Sequence, residues 1–345
     1  MTFDPRRWIP AFAGITSLLL ALALACASGL AAAETGELRF AKQTSMGYVQ
    51  FNILERQKLI EKHARARGLG EVKVTWVTFN GPDAMNTALL AGDVDVVAGG
   101  VPALVTLWAK TRGTPQEVRG ISALSSQPFL LNTRNPNVRT IRDFTDASRI
   151  AVPAVGVSVQ AVTLRMAAAQ AFGKENYAKL DRLTIALPPP DATIGLLSGG
   201  SAFDSAFSVP PFQTQQLQDP AIHTVLNSFE VLGGSHSFTI AWTSRRFHDD
   251  NPKLYRALLD ALAEATDVLN ADKRAAAMLW IEDAKSKLAP DLVVSVIAGP
   301  QVKWTLAPEK TMKYASFMYD VGIVKAIPET WKDLFFPEIH SVAGS

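Results

Sequence analysis

Cysteine is nearly missing from this chain: Cys26 is the only one among 345 residues. It falls in an N-terminal stretch expected to be removed, so the remaining protein is built without disulfides. A chain of this size manages that because its core is large enough. No dense block of lysine or arginine occurs and the formal net charge is only +2, which argues against nucleic acid as a partner. After residue 33 no run approaches the ~18 uninterrupted apolar residues of a membrane span. The five histidines (His63, His223, His236, His248 and His340) show no metal-ligand spacing, and no G-x-S-x-G nucleophile elbow is present. No metal or other cofactor is expected. There is neither a low-complexity segment nor an internal repeat at a period of roughly 20 to 50 residues.

What is present is a globular composition, 48% hydrophobic and 19% charged, with a length that suggests two domains. Residues 1–33 differ in kind. Arg6 and Arg7 form a basic start, residues 14–30 are nearly all apolar or small, and Ala31-Ala-Ala33 offers an A-x-A site before Glu34. This pattern predicts a secretory signal peptide cleaved after Ala33 and a periplasmic destination. The alternatives are a lipoprotein acylated on Cys26 and a twin-arginine signal. The first lacks the usual aliphatic residue three before the cysteine, since Ala23-Leu-Ala25 stands there.

The mature chain is organised around residues 93–105, Asp-Val-Asp-Val-Val-Ala-Gly-Gly-Val-Pro-Ala-Leu-Val. They predict a buried strand (94–98), a turn at Gly99 and Gly100, and a helix starting with Pro102, whose missing N–H suits a first helical position. A turn at the carboxyl end of a strand is where an open α/β sheet binds ligand, and helix N-termini offer free N–H groups. Before it, 38–41 reads as a strand, 48–67 as one helix, 72–79 as a strand and 80–90 as a helix. That β-α order implies a parallel sheet with helices on its faces.

Strands are expected at 118–124 and 129–133, broken by Ser125-Ser-Gln-Pro128, then at 149–153, 183–187 and 203–208. The helix reaching Phe172 is capped by Ser158, and a short helix after Pro188–Pro190 ends at Gly199-Gly200. Strands near 224–226 and 238–242 precede a helical C-terminal third, with helices from Pro252 and at 275–283, 290–297 and 309–321. Its aromatic tail (Trp331, Phe335, Phe336) is expected to buttress the core.

Taken with export, these pieces resemble the periplasmic solute-binding proteins of ABC transporters, and more narrowly the nitrate/sulfonate/taurine group, which also contains binders of thiamine pyrimidine precursors. The segments that carry the resemblance are Leu38-Arg-Phe-Ala-Lys-Gln43, Ala88-Leu-Leu-Ala-Gly-Asp-Val-Asp-Val-Val-Ala-Gly-Gly100, Val209-Pro-Pro-Phe212 and Ser237-Phe-Thr-Ile-Ala-Trp-Thr-Ser244, followed by Phe247 and Asn251-Pro252. The likeness implies an α/β fold of bilobed, type II-like periplasmic binding protein architecture, with a hinge and a helical C-terminal region. One lobe would hold residues 36–126 plus 232–345 and the other 127–231. The implied function is delivery of a small organic or inorganic anion, or a small polar heterocycle, to the membrane permease of an ABC importer, by a protein acting as a monomer.

The same resemblance points to Gln43, Thr44 and Ser45, then Gly100 and Val101, on one side of the cleft, and to Gly156, Ser158, Pro210 and Phe212 on the other. Ser126, Gln127 and His236 lie near the chain crossings, and Tyr48 is a candidate apolar or stacking surface. Each has a plainer reading: Ser158 as a helix cap, Tyr48 and Phe212 as core aromatics, His236 as a hydrogen-bonded hinge residue. None of these loops carries arginine, although Lys42 borders the first. A multiply charged ligand calls for a bidentate arginine clamp, so dicarboxylates and phosphates are disfavoured. Where the family often has an acidic residue or tryptophan before the proline-aromatic pair, Ser208-Val209 stands. Two alternatives are a soluble ligand-sensing partner of a membrane receptor and an enzyme of the thiamine-precursor type. The enzyme route relies on a cysteine-rich segment that the mature chain does not have, so no catalysis is expected.

Overall fold

The structure, a computed structural model, describes residues 34–199 and 202–345. The expected signal peptide with Cys26, and the Gly200 end of one expected helix, lie outside the described residues. The strands are β1 (Glu37–Lys42), β2 (Lys73–Thr78), β3 (Val96–Gly99), β4 (Val118–Ser126), β5 (Leu130–Thr133), β6 (Ile150–Val152), β7 (Thr184–Ala186), β8 (Ser205–Ser208), β9 (His223–Asn227), β10 (Ser237–Ser244) and β11 (Lys303–Trp304). They form two sheets. A six-stranded sheet runs β11-β4-β10-β3-β1-β2, and a five-stranded one β7-β6-β8-β5-β9. β1 is parallel to both β2 and β3, as the β-α order requires, whereas β10 joins β3 and β4 antiparallel. In the second sheet β6 is parallel to β7 and β8, and β5 is antiparallel to β8 and β9.

In the first sheet α1 (Val49–Gln57) and α2 (Leu59–Ala66) follow β1, α3 (Pro82–Ala91) follows β2, and α4 (Val101–Thr111) follows β3. β3 is buried at every position and α4 buries Val101 through Val105, Leu107 and Trp108. Apolar residues all along an element suit one covered on both sides. The single helix expected over 48–67 is instead broken at Lys58, which takes a left-handed conformation (φ 51°) and gives its N–H to Leu54 O. The break lets Phe51, Ile53 and Leu54 on one side, and Leu59 and Ile60 on the other, all reach the core. Phe40 of β1 stacks on Trp76 of β2 at 4.3 Å and meets Phe51 edge-on at 5.4 Å.

The second sheet carries α5 (Val159–Phe172), α6 (Pro189–Ser198), α7 (Phe212–Gln216) and α8 (Ser228–Leu232). No sequence signal indicated α8. Asn227 starts it by accepting from Phe229 N at 2.9 Å. After β10 come α9 (Arg245–Asp250), α10 (Pro252–Ala271), α11 (Lys273–Asp283), α12 (Pro290–Ile297) and α13 (Thr311–Asp320). α10 buries one stripe (Leu254, Leu258, Leu262, Ala265, Leu269) and ties its other side to α2 through Lys62–Glu264 at 2.6 Å and Arg67–Asp260. The aromatic tail does back the core. Phe335 is fully buried against Gly120, where any Cβ would strike its ring, and Phe336 N bonds to Gly120 O. Among the described residues no helix is long and apolar enough to cross a membrane.

The chain passes between the sheets after β4, through Gln127-Pro128-Phe129, and again from α8 into β10. The polar break expected at Ser125-Ser126 does not end β4, because β10 supplies backbone partners to both residues through an irregular register. A buried network ties the crossings together. Ser126 Oγ donates to His236 O (2.7 Å) and meets Ser235 Oγ (2.8 Å), and Ser235 bonds to Glu309. Ser237 Oγ accepts from Glu309 N at 2.9 Å. The expected plain reading of His236 fits its surroundings: it is fully buried, its ring nitrogens lie 3.0 Å from Ser228 Oγ and Ser237 O, and Phe129, Phe229 and Tyr314 surround it.

Candidate functional site

The parallel strands of both sheets deliver their carboxyl-end loops to one cavity. From the first sheet come Gln43, Thr44, Ser45 and Tyr48 after β1, Pro82 after β2, and Gly100 after β3. From the second come Pro153, Ser158, Val159 and Gln160 after β6, Pro189 after β7 and Val209 after β8. Phe238 and Thr239 complete the wall because β10 runs antiparallel to β3, with Ile240 paired to Gly99, so its start lies beside the end of β3. The space enclosed is about 30 Å³, room for about two waters. The walls touch: Met46 N donates to Pro210 O at 3.0 Å, and a Cβ on Gly100 would stand 2.5 Å from Val159 Cβ. Gly100 has φ −74°, so its backbone suits any residue and only the space demands glycine.

The lining is polar but uncharged. Gln43 Nε2 donates to the Tyr48 hydroxyl (3.0 Å), which donates to Ala98 O (2.9 Å). Burial pushes the Tyr48 hydroxyl pKa well above its ordinary value, so it remains a neutral group. Ser45 Oγ accepts from Gly47 N at 3.2 Å and holds the loop turn. Gly47 itself has no room for a Cβ, which would run into Thr239 and the Phe238 ring. Ser158 lines the cavity yet is also the cap of α5: its Oγ accepts from Ala161 N (3.2 Å) and donates to Ala154 O (2.6 Å). Lys42 turns away, pairing with Glu55 at 2.7 Å over the Trp76 ring.

Of the residues singled out from sequence, Gln43, Thr44, Ser45, Tyr48, Gly100 and Ser158 line this cavity. Seven others do not. Val101 is buried in the first turn of α4. Gly156 faces Arg165, which donates to its carbonyl at 3.1 Å while clasping Asp181. Pro210 supplies the carbonyl that receives Met46 N, and Phe212 packs on the core. Ser126 and His236 belong to the network at the crossings. Gln127 is buried beside that network with neither end of its amide bonded. The cavity adds residues not anticipated: Val159 and Gln160 directly follow the Ser158 cap, whereas Phe238 and Thr239 are brought in only by strand register.

A larger groove of about 470 Å³ lies at the other end of the first sheet, around the start of β3. Its ionic groups are already matched, Arg39 with Asp95 at 2.8 Å and Arg246 with Asp250 at 3.5 Å. It faces the amino ends of the parallel strands, opposite to where such sheets bind ligands. No group of three or more His, Cys, Asp or Glu side chains able to hold a metal occurs among the described residues.

Solved structures with the same arrangement are numerous. The alkanesulfonate-binding protein of Xanthomonas axonopodis pv. citri, bound to MOPS, superposes with TM-score 0.67 at 18% identity, covering 89% of this chain and 99% of that one. The periplasmic nitrate-binding protein of Synechocystis gives 0.66 at 15%, covering 87% and 85%. The periplasmic aliphatic sulphonate-binding protein of Escherichia coli gives 0.64 at 16%, covering 88% and 92%. These neighbours are named as binding proteins, and the fold they share with this chain is the bilobed α/β fold of periplasmic binding proteins. No curated protein matches the sequence. A family profile matches residues 31–281, well over half of the chain, and on that match the protein belongs to the NMT1-like family.

Proposed function

We propose that this protein is a periplasmic solute-binding receptor that delivers a small polar solute, an anion or a polar heterocycle, to the permease of an ABC importer. The observation that carries the reading is the cavity itself. Loops from the carboxyl ends of two separate sheets converge on it, and it is too small for an organic solute unless the two walls part. A receptor of this design binds in an open form and closes over its ligand, and the closed form is what a permease distinguishes. The names of the structural neighbours, which describe sulfonate and nitrate binders, support the class of function.

The same reading assigns residues 36–126 plus 232–345 to one lobe and 127–231 to the other, supported by the separate membership of their strands in two sheets. Residues 1–33 serve as the signal peptide, cut after Ala33, and the receptor works as a monomer. Its ligand contacts centre on Gln43, Thr44, Ser45, Tyr48, Gly100 and Ser158. Gln127, Ser126 and His236 act at the crossings, and Val101, Gly156, Pro210 and Phe212 support the loops.

A thermal-shift screen of the exported protein with alkanesulfonates, nitrate, aromatic acids and pyrimidines tests the proposal. A binder present at about 100 times its Kd stabilises the folded state by about 2.7 kcal/mol, a shift of several degrees. The reading fails if no small solute raises the melting temperature while the protein turns over some substrate.

A further inference from the structure

We propose that the solute this cleft takes carries no net charge and is recognised through an amide, as a small molecule with a hydrogen-bond donor and acceptor side by side. This rests on the receptor reading and narrows its substrate class. The first support is the charge around the cavity. None of its lining side chains is ionisable at neutral pH, since Tyr48 stays a hydroxyl. The cations nearest in sequence are already matched: Lys42 by Glu55 at 2.7 Å, and Arg165 by Asp181 at 2.6 Å.

The second support is the helix starts at the cleft, several of which offer an anion fewer N–H groups than a proline-free start would. Anions are held there by free backbone N–H groups. Each proline removes one such group from the first turns of α3 (Pro82), α4 (Pro102) and α6 (Pro189, Pro190). In α4 the next N–H, of Ala103, is given to Gly100 O at 3.1 Å, and in α5 that of Ala161 is taken by Ser158.

The third support is what replaces charge. Two primary amides, Gln43 and Gln160, line the cavity. A third, Gln127, is 1% exposed and leaves both Nε2 and Oε1 unbonded. The hydroxyls of Ser125 and Ser208, also buried, are unbonded too. Ser125 is the strand partner of Thr239 and Ser208 precedes Val209, both of which line the cavity, whereas Ser125, Ser208 and Gln127 stand behind that lining and outside it. Unbonded buried polar groups are costly, about 1–3 kcal/mol each. An amide presents one acceptor and two donors, which another amide or lactam matches pair for pair. An anion among these groups would be desolvated with no counter-charge.

The test is calorimetric titration of the exported protein, extensively dialysed, at neutral pH with uracil, nicotinamide and urea against nitrate, ethanesulfonate and benzoate. We expect at least one uncharged amide to bind more than about tenfold tighter than every anion. Its affinity should change less than about twofold when NaCl is raised from low to high. Gln43→Leu and Gln160→Leu, both at the cavity wall, should each weaken it by about tenfold or more. An anion binding tightest, or full affinity in both variants, overturns the amide assignment and leaves the receptor reading standing. Binding by no probe of either class overturns both.

Discussion

Ser125 and Ser126 are neighbours on one strand, both fully buried, and their hydrogen bonding is opposite. Ser126 joins a closed network with Ser235, His236 and Glu309, in which every polar side chain finds a partner. Ser125, with Gln127 and Ser208, finds none. The alternation of a strand sends the two serines to opposite faces. Ser126 joins the network at the crossings, and Ser125 pairs along the strand with Thr239 of the cavity wall. A polar group that only supports the fold is expected to be bonded in the absence of ligand, and one kept for a solute is not. On the proposed reading, that difference is what would separate hinge from site within a few residues.

The largest predicted effect falls on the cavity side. Gly100→Trp keeps an allowed backbone but forces bulk against Val159. It should abolish the solute-induced melting shift, a loss of affinity of about 100-fold or more, with the ligand-free melting temperature changed by only a few degrees. Unchanged affinity would make the turn a mere connector.

On the hinge side the next effect is pH dependence. Burial lowers the His236 pKa to about 4 from 6.5. Between those values the unfolded chain holds a proton that the folded chain does not, so stability rises with pH. It is fully present above about 6.5 and is lost as pH falls toward about 4, by on the order of 3 kcal/mol. Urea unfolding of the wild type and His236→Phe across that window should show a steeper acid loss in the wild type. Equal slopes would remove His236 from the account.

Smaller effects sort individual contacts. Tyr314 and Thr163, both fully buried, share a 2.9 Å hydrogen bond between α13 and α5. Tyr314→Phe should destabilise by about 1–2 kcal/mol in denaturant melts, because it leaves the threonine unpaired. Ser158→Ala should cost about 1 kcal/mol for the lost cap and, because Ser158 also lines the cavity, weaken solute affinity by about threefold or more. A stability loss with affinity unchanged would make Ser158 a helix cap only.

The same contrast explains what the sequence could tell. The loops after β1, β3 and β6 are readable because a strand, a short turn and a helix occur in order, and the carboxyl end of a parallel strand is a known ligand position. That logic reaches the turn at Gly100, and the family resemblance extends it to Gln43, Ser45 and Ser158. The resemblance points to Gly156 and Phe212 equally well, and only three-dimensional packing shows that Arg165 takes the Gly156 carbonyl and that Phe212 packs on the core. Thr239 and Phe238 enter through antiparallel register, which leaves no local mark. The helix break at Lys58 is likewise invisible, because a left-handed lysine is not announced by its neighbours and core packing decides it.

The most direct measurement needs no ligand. Melting of Gln127→Leu and Ser126→Ala, each against the wild type, asks whether the two faces differ as their hydrogen bonds do. Replacing an unbonded buried amide with a similar apolar shape should raise the melting temperature, and deleting a bonded hydroxyl should lower it. If Gln127→Leu instead melts lower by as much as Ser126→Ala, the amide is part of the scaffold, and the distinction between hinge and site collapses.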